Sequence, residues 1–222
     1  MNEQLTRCGF AAIIGAPNAG KSTLINALAG YKIAIVSHKV QTTRSRIRAI
    51  VIEANSQIIF VDTPGIFVPR RPLDRAMVEA AWSGAGDADM VLVIVDARAG
   101  ITEDVDRILK KLADYKSKAV LVLNKIDLTK RENLLELAAR LNEAFAFAET
   151  FMLSATTGDG VDQLKRRLAQ MMPQGPWLYP QDQIADVPLR LMASEVTREK
   201  IYERLHQELP YASTVETERW QE

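Results

Sequence analysis

The chain has almost no cysteine or histidine: one cysteine, Cys8, and two histidines, His38 and His206, among 222 residues. A single thiol cannot build a disulfide framework or a Cys-rich zinc site. Two histidines so far apart in sequence argue against a His-based metal centre. Scarce cysteine fits a reducing compartment. No apolar run reaches the ~18 residues needed to span a bilayer. Met1–Arg7 is polar and lacks the apolar stretch of a secretory signal. The expectation is a cytoplasmic protein. Net charge is also missing, because 28 basic and 28 acidic side chains cancel. Any binding to nucleic acid must then come from a local patch and not from the field of the whole molecule.

What remains is a globular composition, 47% hydrophobic and 25% charged, enough to bury a core without covalent staples. Short apolar runs recur at Gly9–Ile14, Ile47–Glu53, Gln57–Asp62, Met90–Asp96, Ala119–Asn124 and Thr150–Leu153. Several are apolar at nearly every position, which suits strands buried on both faces of a parallel sheet. Helical spacing fills the intervals. Ser22–Gly30 carries Leu24, Ile25 and Leu28. Thr102 reads as an N-cap, with Glu103 and Asp104 in the first turn before Val105, Ile108, Leu109 and Leu112. Leu134–Ala146 and Val161–Met172 follow the same pattern. This alternation predicts an α/β fold, a mostly parallel doubly wound sheet with helices on both faces.

Met171–Pro180 concentrates proline and glycine and marks an expected boundary. The division predicted is 1–175 as the main domain, 176–187 as a linker and 188–222 as a separate small segment. In that segment a strand is expected near Leu189–Ala193, a helix over Glu195–Leu209 stopped by Pro210, and a further strand over Val215–Trp220.

Three motifs fall at strand ends, where doubly wound sheets hold ligands. Gly15, Ala16, Pro17, Asn18, Ala19, Gly20, Lys21 and Ser22 fit G-x-x-x-x-G-K-[ST], between an apolar strand and a helix. Such a loop curls backbone N–H groups around phosphates at a helix N-terminus. Lys21 is expected on the β- and γ-phosphates and the Ser22 hydroxyl on Mg²⁺, with Thr23 beside it. Asp62, Thr63, Pro64 and Gly65 follow the next apolar run. Asp62 can hold Mg²⁺ through water, and the Gly65 N–H can approach a γ-phosphate with no Cβ in the way. Asn124, Lys125, Ile126 and Asp127 form the third motif. The Asp127 carboxylate can accept from both the N1–H and the exocyclic amine of guanine, a donor pair that adenine lacks. A buried carboxylate facing adenine would lack donors, so guanine is the expected base. Asn124 can bridge loop and base, and the Lys125 stem can lie along the ring. Ser154 and Ala155 follow the next strand, where a backbone N–H can meet guanine O6.

The ordered set GAPNAGKS, DTPG, NKID and SA resembles the translation-factor-related GTPases, a class with the Ras-like P-loop G domain. Three further stretches resemble one family within it, the Era family of ribosome-assembly GTPases. They are Lys39–Arg44, Met192–Lys200, and Glu208–Tyr211 followed by Val215–Arg219. The resemblance spans essentially the whole chain. It implies a GTPase giving GDP and phosphate with Mg²⁺, used as a switch in small ribosomal subunit assembly. It implies a C-terminal KH-type domain that binds near the 3′ end of the small-subunit rRNA. A KH domain needs a G-x-x-G loop, and after Leu178 the chain has no glycine. The expectation is therefore an incomplete KH-type segment, first helix and strand only. Residues 195–222 hold seven Glu against Arg198, Lys200, Arg204 and Arg219, a net of −3, a poor phosphate binder.

The resemblance also places a first switch over Lys32–Arg48, where Thr43 or Thr42 would reach Mg²⁺ and γ-phosphate. The basic residues there serve either that loop or rRNA phosphate. A second switch is expected over Gly65–Asp74. Ile66 stands where Ras-like enzymes orient water with Gln, so charge in the transition state must be met otherwise. Related GTPases use an Asn like Asn18 with bound K⁺; the plainer reading of Asn18 is a turn residue that tolerates left-handed backbone. Lys21, Asn18 and Gly65 are the catalytic candidates, and intrinsic turnover is expected to be slow, in the ~10⁻⁴–10⁻² s⁻¹ range. A monomer is expected, with peripheral association of the full-length protein at the inner membrane. The alternatives are the G domain of another ribosome- or tRNA-related GTPase, and a non-catalytic module whose shape nucleotide sets.

Overall fold

The computed structural model describes residues 5–36, 48–67, 72–115, 117–186, 189–204 and 213–219. Along the chain run β1 (Arg7–Gly15), α1 (Lys21–Ala29), β2 (Arg48–Glu53), β3 (Ser56–Asp62), α2 (Pro72–Gly86), β4 (Met90–Asp96), α3 (Glu103–Leu112), β5 (Lys118–Asn124), α4 (Arg131–Ala144), β6 (Glu149–Met152), α5 (Val161–Met171) and α6 (Leu189–Arg204). The six strands form one sheet in the order β2-β3-β1-β4-β5-β6. Within it, only the β2–β3 hairpin is antiparallel.

The near-continuous apolar strands are explained by burial on both faces. Ala11 and Ile13 of β1 pack with α1 and α5 through Leu24, Ile25, Leu28, Leu164 and Leu168. Ala12 and Ile14 pack on the opposite face with α2, α3 and α4 through Trp82, Ile108, Leu109, Leu134 and Leu141. β4 divides the same way: Met90, Leu92 and Ile94 to one side, Val91, Val93 and Val95 to the other. Each fully buried aliphatic side chain contributes roughly 1.5–3 kcal/mol, so neither layer can be peeled away cheaply. The Thr102 Oγ1 accepts from the Val105 N–H at 3.3 Å and caps α3, whose buried face is Val105, Ile108, Leu109 and Leu112. The sequence pattern does not announce α2, because Gly84 and Gly86 blur its periodicity; the helix opens on Pro72, a residue suited to a first helical turn.

Residues 173–186 return along the sheet from β1 to its β2 edge. The Cys8 N–H donates to Pro173 O and the Gly175 N–H to Thr6 O. Gln57, fully buried on β3, accepts from the Leu178 and Tyr179 N–H groups at 2.9 and 3.0 Å and donates to Tyr179 O at 2.8 Å. The Cys8 thiol, buried, donates to the same Gln57 oxygen at 3.6 Å, and burial pushes its pKa up. Farther on, the Ile50 N–H donates to Ile184 O and the Asp186 N–H to Arg48 O. Ala49 thus pairs with Ala185 in an isolated antiparallel bridge on β2, the edge strand.

Two expectations about the C-terminal segment are corrected. Leu189–Ala193 is not a strand but the first part of α6. Leu-Arg-Leu alternates, yet no Gly or Pro separates it from the following helical residues. Leu, Arg, Met, Ala and Glu are all strong helix formers. Residues 213–219 form neither helix nor strand. Their Thr-Val-Glu-Thr-Glu alternation is a strand signal, but a strand forms only against a partner ladder, and the six-stranded sheet does not extend to them. The expected helix residues 205–209 and Pro210 lie outside the described residues. Within α6, Arg198 and Glu199 are buried. Glu199 pairs with Lys32, just after α1, at 2.5 Å, and Arg198 pairs with Glu195 one turn before it.

Candidate nucleotide site

The strand order reverses at β1, which has β3 on one side and β4 on the other. The chain leaves the carboxyl ends of β1, β3, β4, β5 and β6 along one edge of the sheet, so all the sequence motifs meet there.

The loop after β1 is built from left-handed backbone. Asn18 has φ 60° and Gly20 has φ 96°. The second position requires glycine on two counts, since a Cβ there would also lie 2.2 Å from Asn124 Nδ2. Such alternation turns consecutive N–H groups inward into an anion-binding concavity, and α1 begins directly behind it at Lys21. Lys21 is 7% exposed, and its Nζ donates to Gly15 O at 3.1 Å and Ala16 O at 2.9 Å. Burial pushes its pKa down to about 8 against the opposing attraction of Asp62. A buried ammonium held by two carbonyls and drawn to a carboxylate is a site that a phosphate chain satisfies.

Asp62 ends β3 and is fully buried; the Ser22 hydroxyl donates to its Oδ2 at 3.2 Å. Two hard oxygen donors facing each other beside a phosphate loop suit Mg²⁺, which prefers one or two protein oxygens plus phosphates. The Thr63 hydroxyl turns away and donates to Ile13 O at 2.5 Å, so this side chain staples β3 to β1 and is fully buried. Its backbone, and not its hydroxyl, is what can face a ligand. Gly65 lies where a Cβ would be 3.1 Å from Pro17 Cα and 3.3 Å from Lys21 Nζ. The next N–H, of Ile66, donates to Gly15 O at 3.0 Å and docks Asp62–Gly65 on the phosphate loop. The Ile66 side chain is 4% exposed and packs with the α2 layer. It is therefore withdrawn from water as well as unable to hydrogen-bond it. Thr42, Thr43, His38, Lys39, Arg44 and Arg46 of the first switch lie outside the described residues, as do Arg70 and Arg71 of the second.

At the other end of the cleft Asn124 joins three segments. Its Nδ2 donates to Ala19 O at 2.9 Å, while its Oδ1 accepts from the Lys125 N–H at 2.8 Å and the Ala155 N–H at 3.0 Å. Lys125 is held at φ 65°. Its Nζ reaches Asn18 O on the phosphate loop at 2.6 Å and Asp96 Oδ2 at 2.6 Å. Asp127 follows on a single 3-10 turn, Ile126–Leu128, and is exposed. Ser154 is fully buried, its Oγ accepting from the Thr157 N–H at 3.2 Å. It caps its own turn; the backbone N–H of Ser154 donates to Asp159 O, and that of Ala155 donates to Asn124 Oδ1. The motifs do not single out Asp96. Its signal in the sequence is a carboxylate at the end of an apolar strand, as at Asp62.

Residues 10–125 match the family of 50S ribosome-binding GTPases. GTPase Era of Afipia carboxidovorans is 65% identical over 217 residues, 98% of this chain and 70% of that protein. The chain belongs to the Era family of GTPases. The solved structure of Era in complex with MgGDPNP and nucleotides 1506–1542 of 16S ribosomal RNA matches with a TM-score of 0.88. It is 36% identical to this chain and covers 93% of it and 70% of that chain. A variant of Era from Aquifex aeolicus, bound to GDP and AlF4⁻, matches with a TM-score of 0.87, at 36% identity over 92% of this chain and 70% of that one. The fold is the P-loop GTPase fold that the motifs implied.

Proposed function

We propose that this chain binds and hydrolyses GTP as a switch in ribosome assembly, acting on the small subunit and its rRNA. The observation that carries the nucleotide reading is Asn124, whose one side chain ties the phosphate loop, the NKID loop and the Ser154–Ala155 turn into a single cleft. The family description names the 50S subunit, but it covers only residues 10–125. The Era relative with bound 16S rRNA matches nearly the full chain, which favours the small subunit. That similarity over nearly the whole chain leaves the reading as another ribosome- or tRNA-related GTPase without support.

The phosphate loop, Gly15 to Ser22 with Thr23, holds the phosphates through backbone N–H groups and Lys21. Asn124, Lys125 and Asp127 hold the base, with the Ser154–Ala155 backbone at its edge. Ser22, Asp62 and one of Thr42 and Thr43 would hold Mg²⁺, which when bound neutralises charge on the phosphate oxygens. Water attacks the γ-phosphorus in line and GDP leaves. Lys21 and the Gly65 N–H stabilise the charge on the transferring group. No side chain at Ile66 assists the water, so slow turnover and a timing role follow. The exposed, left-handed Asn18 is the candidate for a K⁺ ligand. The setting is a cytoplasmic monomer with peripheral membrane association. Residues 1–175 act as the G domain, 176–187 as the connection and 188–222 as part of a KH-type unit.

The test is calorimetric binding of GDP against ADP, followed by phosphate release from GTP in K⁺ and in Na⁺. GDP binding with no ADP binding, and release that needs the nucleotide site, are expected. Equal binding of both nucleotides overturns the guanine reading. Equal turnover in K⁺ and Na⁺ removes the role of Asn18 with K⁺. Binding of a 1506–1542 rRNA fragment, compared between GDP and a non-hydrolysable GTP analogue at two salt concentrations, tests the RNA role. No binding in either state overturns it for this chain.

A further inference from the structure

We propose that Asp96 is a positioning residue for guanine nucleotide binding, acting through Lys125. This rests on the guanine reading of the cleft. Asp96 is the last residue of β4 and sits in register beside Asn124, the last residue of β5. Its two carboxylate oxygens do different work. Oδ1 accepts from the Arg98 N–H at 2.9 Å and the Ala99 N–H at 3.4 Å, closing the turn that follows. Oδ2 accepts from Lys125 Nζ at 2.6 Å in a partly buried ion pair, the lysine 25% and the aspartate 14% exposed. The same ammonium donates to Asn18 O at 2.6 Å.

The consequence is geometric. Lysine has a long flexible stem, and anchoring its ammonium at two acceptors restricts where that stem lies. Asn18 O supplies one acceptor from the phosphate loop and Asp96 the other, with the charge. Together they stretch the Lys125 stem between the NKID loop and the phosphate loop, along the side where the motif puts the base. Charge-assisted hydrogen bonds of this kind are stronger than neutral ones. The side-chain contacts of Asp96 are to its own turn and to Lys125, so the effect proposed on the nucleotide passes through Lys125.

The two carboxylate roles can be separated. Asp96→Asn keeps an acceptor for the turn but presents a neutral amide to Lys125. It is expected to weaken GDP binding roughly tenfold, the scale of one charge-assisted hydrogen bond, with melting temperature nearly unchanged. Lys125→Met is expected to lose at least as much. The deciding readout is Asp96→Asn placed in the Lys125→Met background, where no further loss is expected. Equal losses in both backgrounds mean a turn role only and overturn the proposal. So does an unchanged affinity in Asp96→Asn. Asp96→Ser, which can also close the turn, is the second variant. If both fail to fold, Asp96 is structural and the proposal is wrong. Failure of the wild type to bind GDP would instead overturn the guanine reading.

Discussion

Two edges of this molecule bury polar side chains for opposite reasons. At the carboxyl edge of the sheet, Lys21, Asp62 and Asn124 are 7% exposed or less and gather around a cleft. At the β2–β3 side, Gln57 is equally buried, but its amide is used by the backbone of Leu178 and Tyr179. In the first region Asn124 is also satisfied by protein partners, but Lys21 carries a charge that burial disfavours, lowering its pKa, and that a phosphate would compensate. In the second they are satisfied inside the protein. Burial of polar groups therefore does not by itself mark a functional site; what matters is whether the partners are sufficient without a ligand.

Substitutions should separate the two regions. Lys21→Ala is expected to weaken GTP and GDP binding by about a hundredfold or more, through loss of charge-assisted bonds to phosphate. Its thermal stability should hold or rise, because a desolvated ammonium is removed. Calorimetric titration with a melting curve checks both halves. Gln57→Leu should do the reverse. It removes three hydrogen bonds to residues 178 and 179 and is expected to cost about 2 kcal/mol of stability by chemical denaturation. Nucleotide affinity should stay within about twofold, as for distant independent sites. A large loss of affinity in Gln57→Leu would mean the two regions are one unit.

A pH titration reads the same contrast. The folded-state pKa of Lys21, about 8, lies below its ordinary value of 10.5. Between these values the unfolded chain carries a proton that the nucleotide-free fold does not. Stability without nucleotide is thus greatest above 10.5 and is lost as pH falls through about 8. Binding has the opposite sign, since phosphate requires the charged lysine. GDP affinity is expected to fall about tenfold between about pH 7 and about pH 9 as the protonated fraction drops. A flat profile would mean that Lys21 stays charged in the empty cleft up to about pH 9. The smallest effect is expected at Arg48, half-exposed, which pairs with Asp186 at 2.9 Å. Arg48→Ala should cost under about 1 kcal/mol in a denaturation curve.

Much of the cleft is legible in the sequence because its chemistry is local. A phosphate loop needs contiguous N–H groups, a glycine with positive φ and a lysine at a set spacing, so Gly15–Ser22 announces itself. The double burial of the strands is legible for the same reason. The start of α6 misleads because Leu189–Ala193 satisfies two periodicities over five residues, and only the run of 16 residues decides between them. Thr63 and Ser154 stand in ligand-facing motifs, but their hydroxyls are spent on Ile13 O and the Thr157 N–H; the direction of a short side chain depends on which strand lies beside it.

The amino-acid order thus dictated the layers, the phosphate loop and the guanine-type motif, since each rests on spacing within a few residues. The path of residues 173–186, Gln57 holding a segment 122 positions away, and Asp96 holding a lysine 29 positions away arise only once the sheet has formed. Those contacts are set by strand order and register, which bring together groups whose separation along the chain carries no local signal.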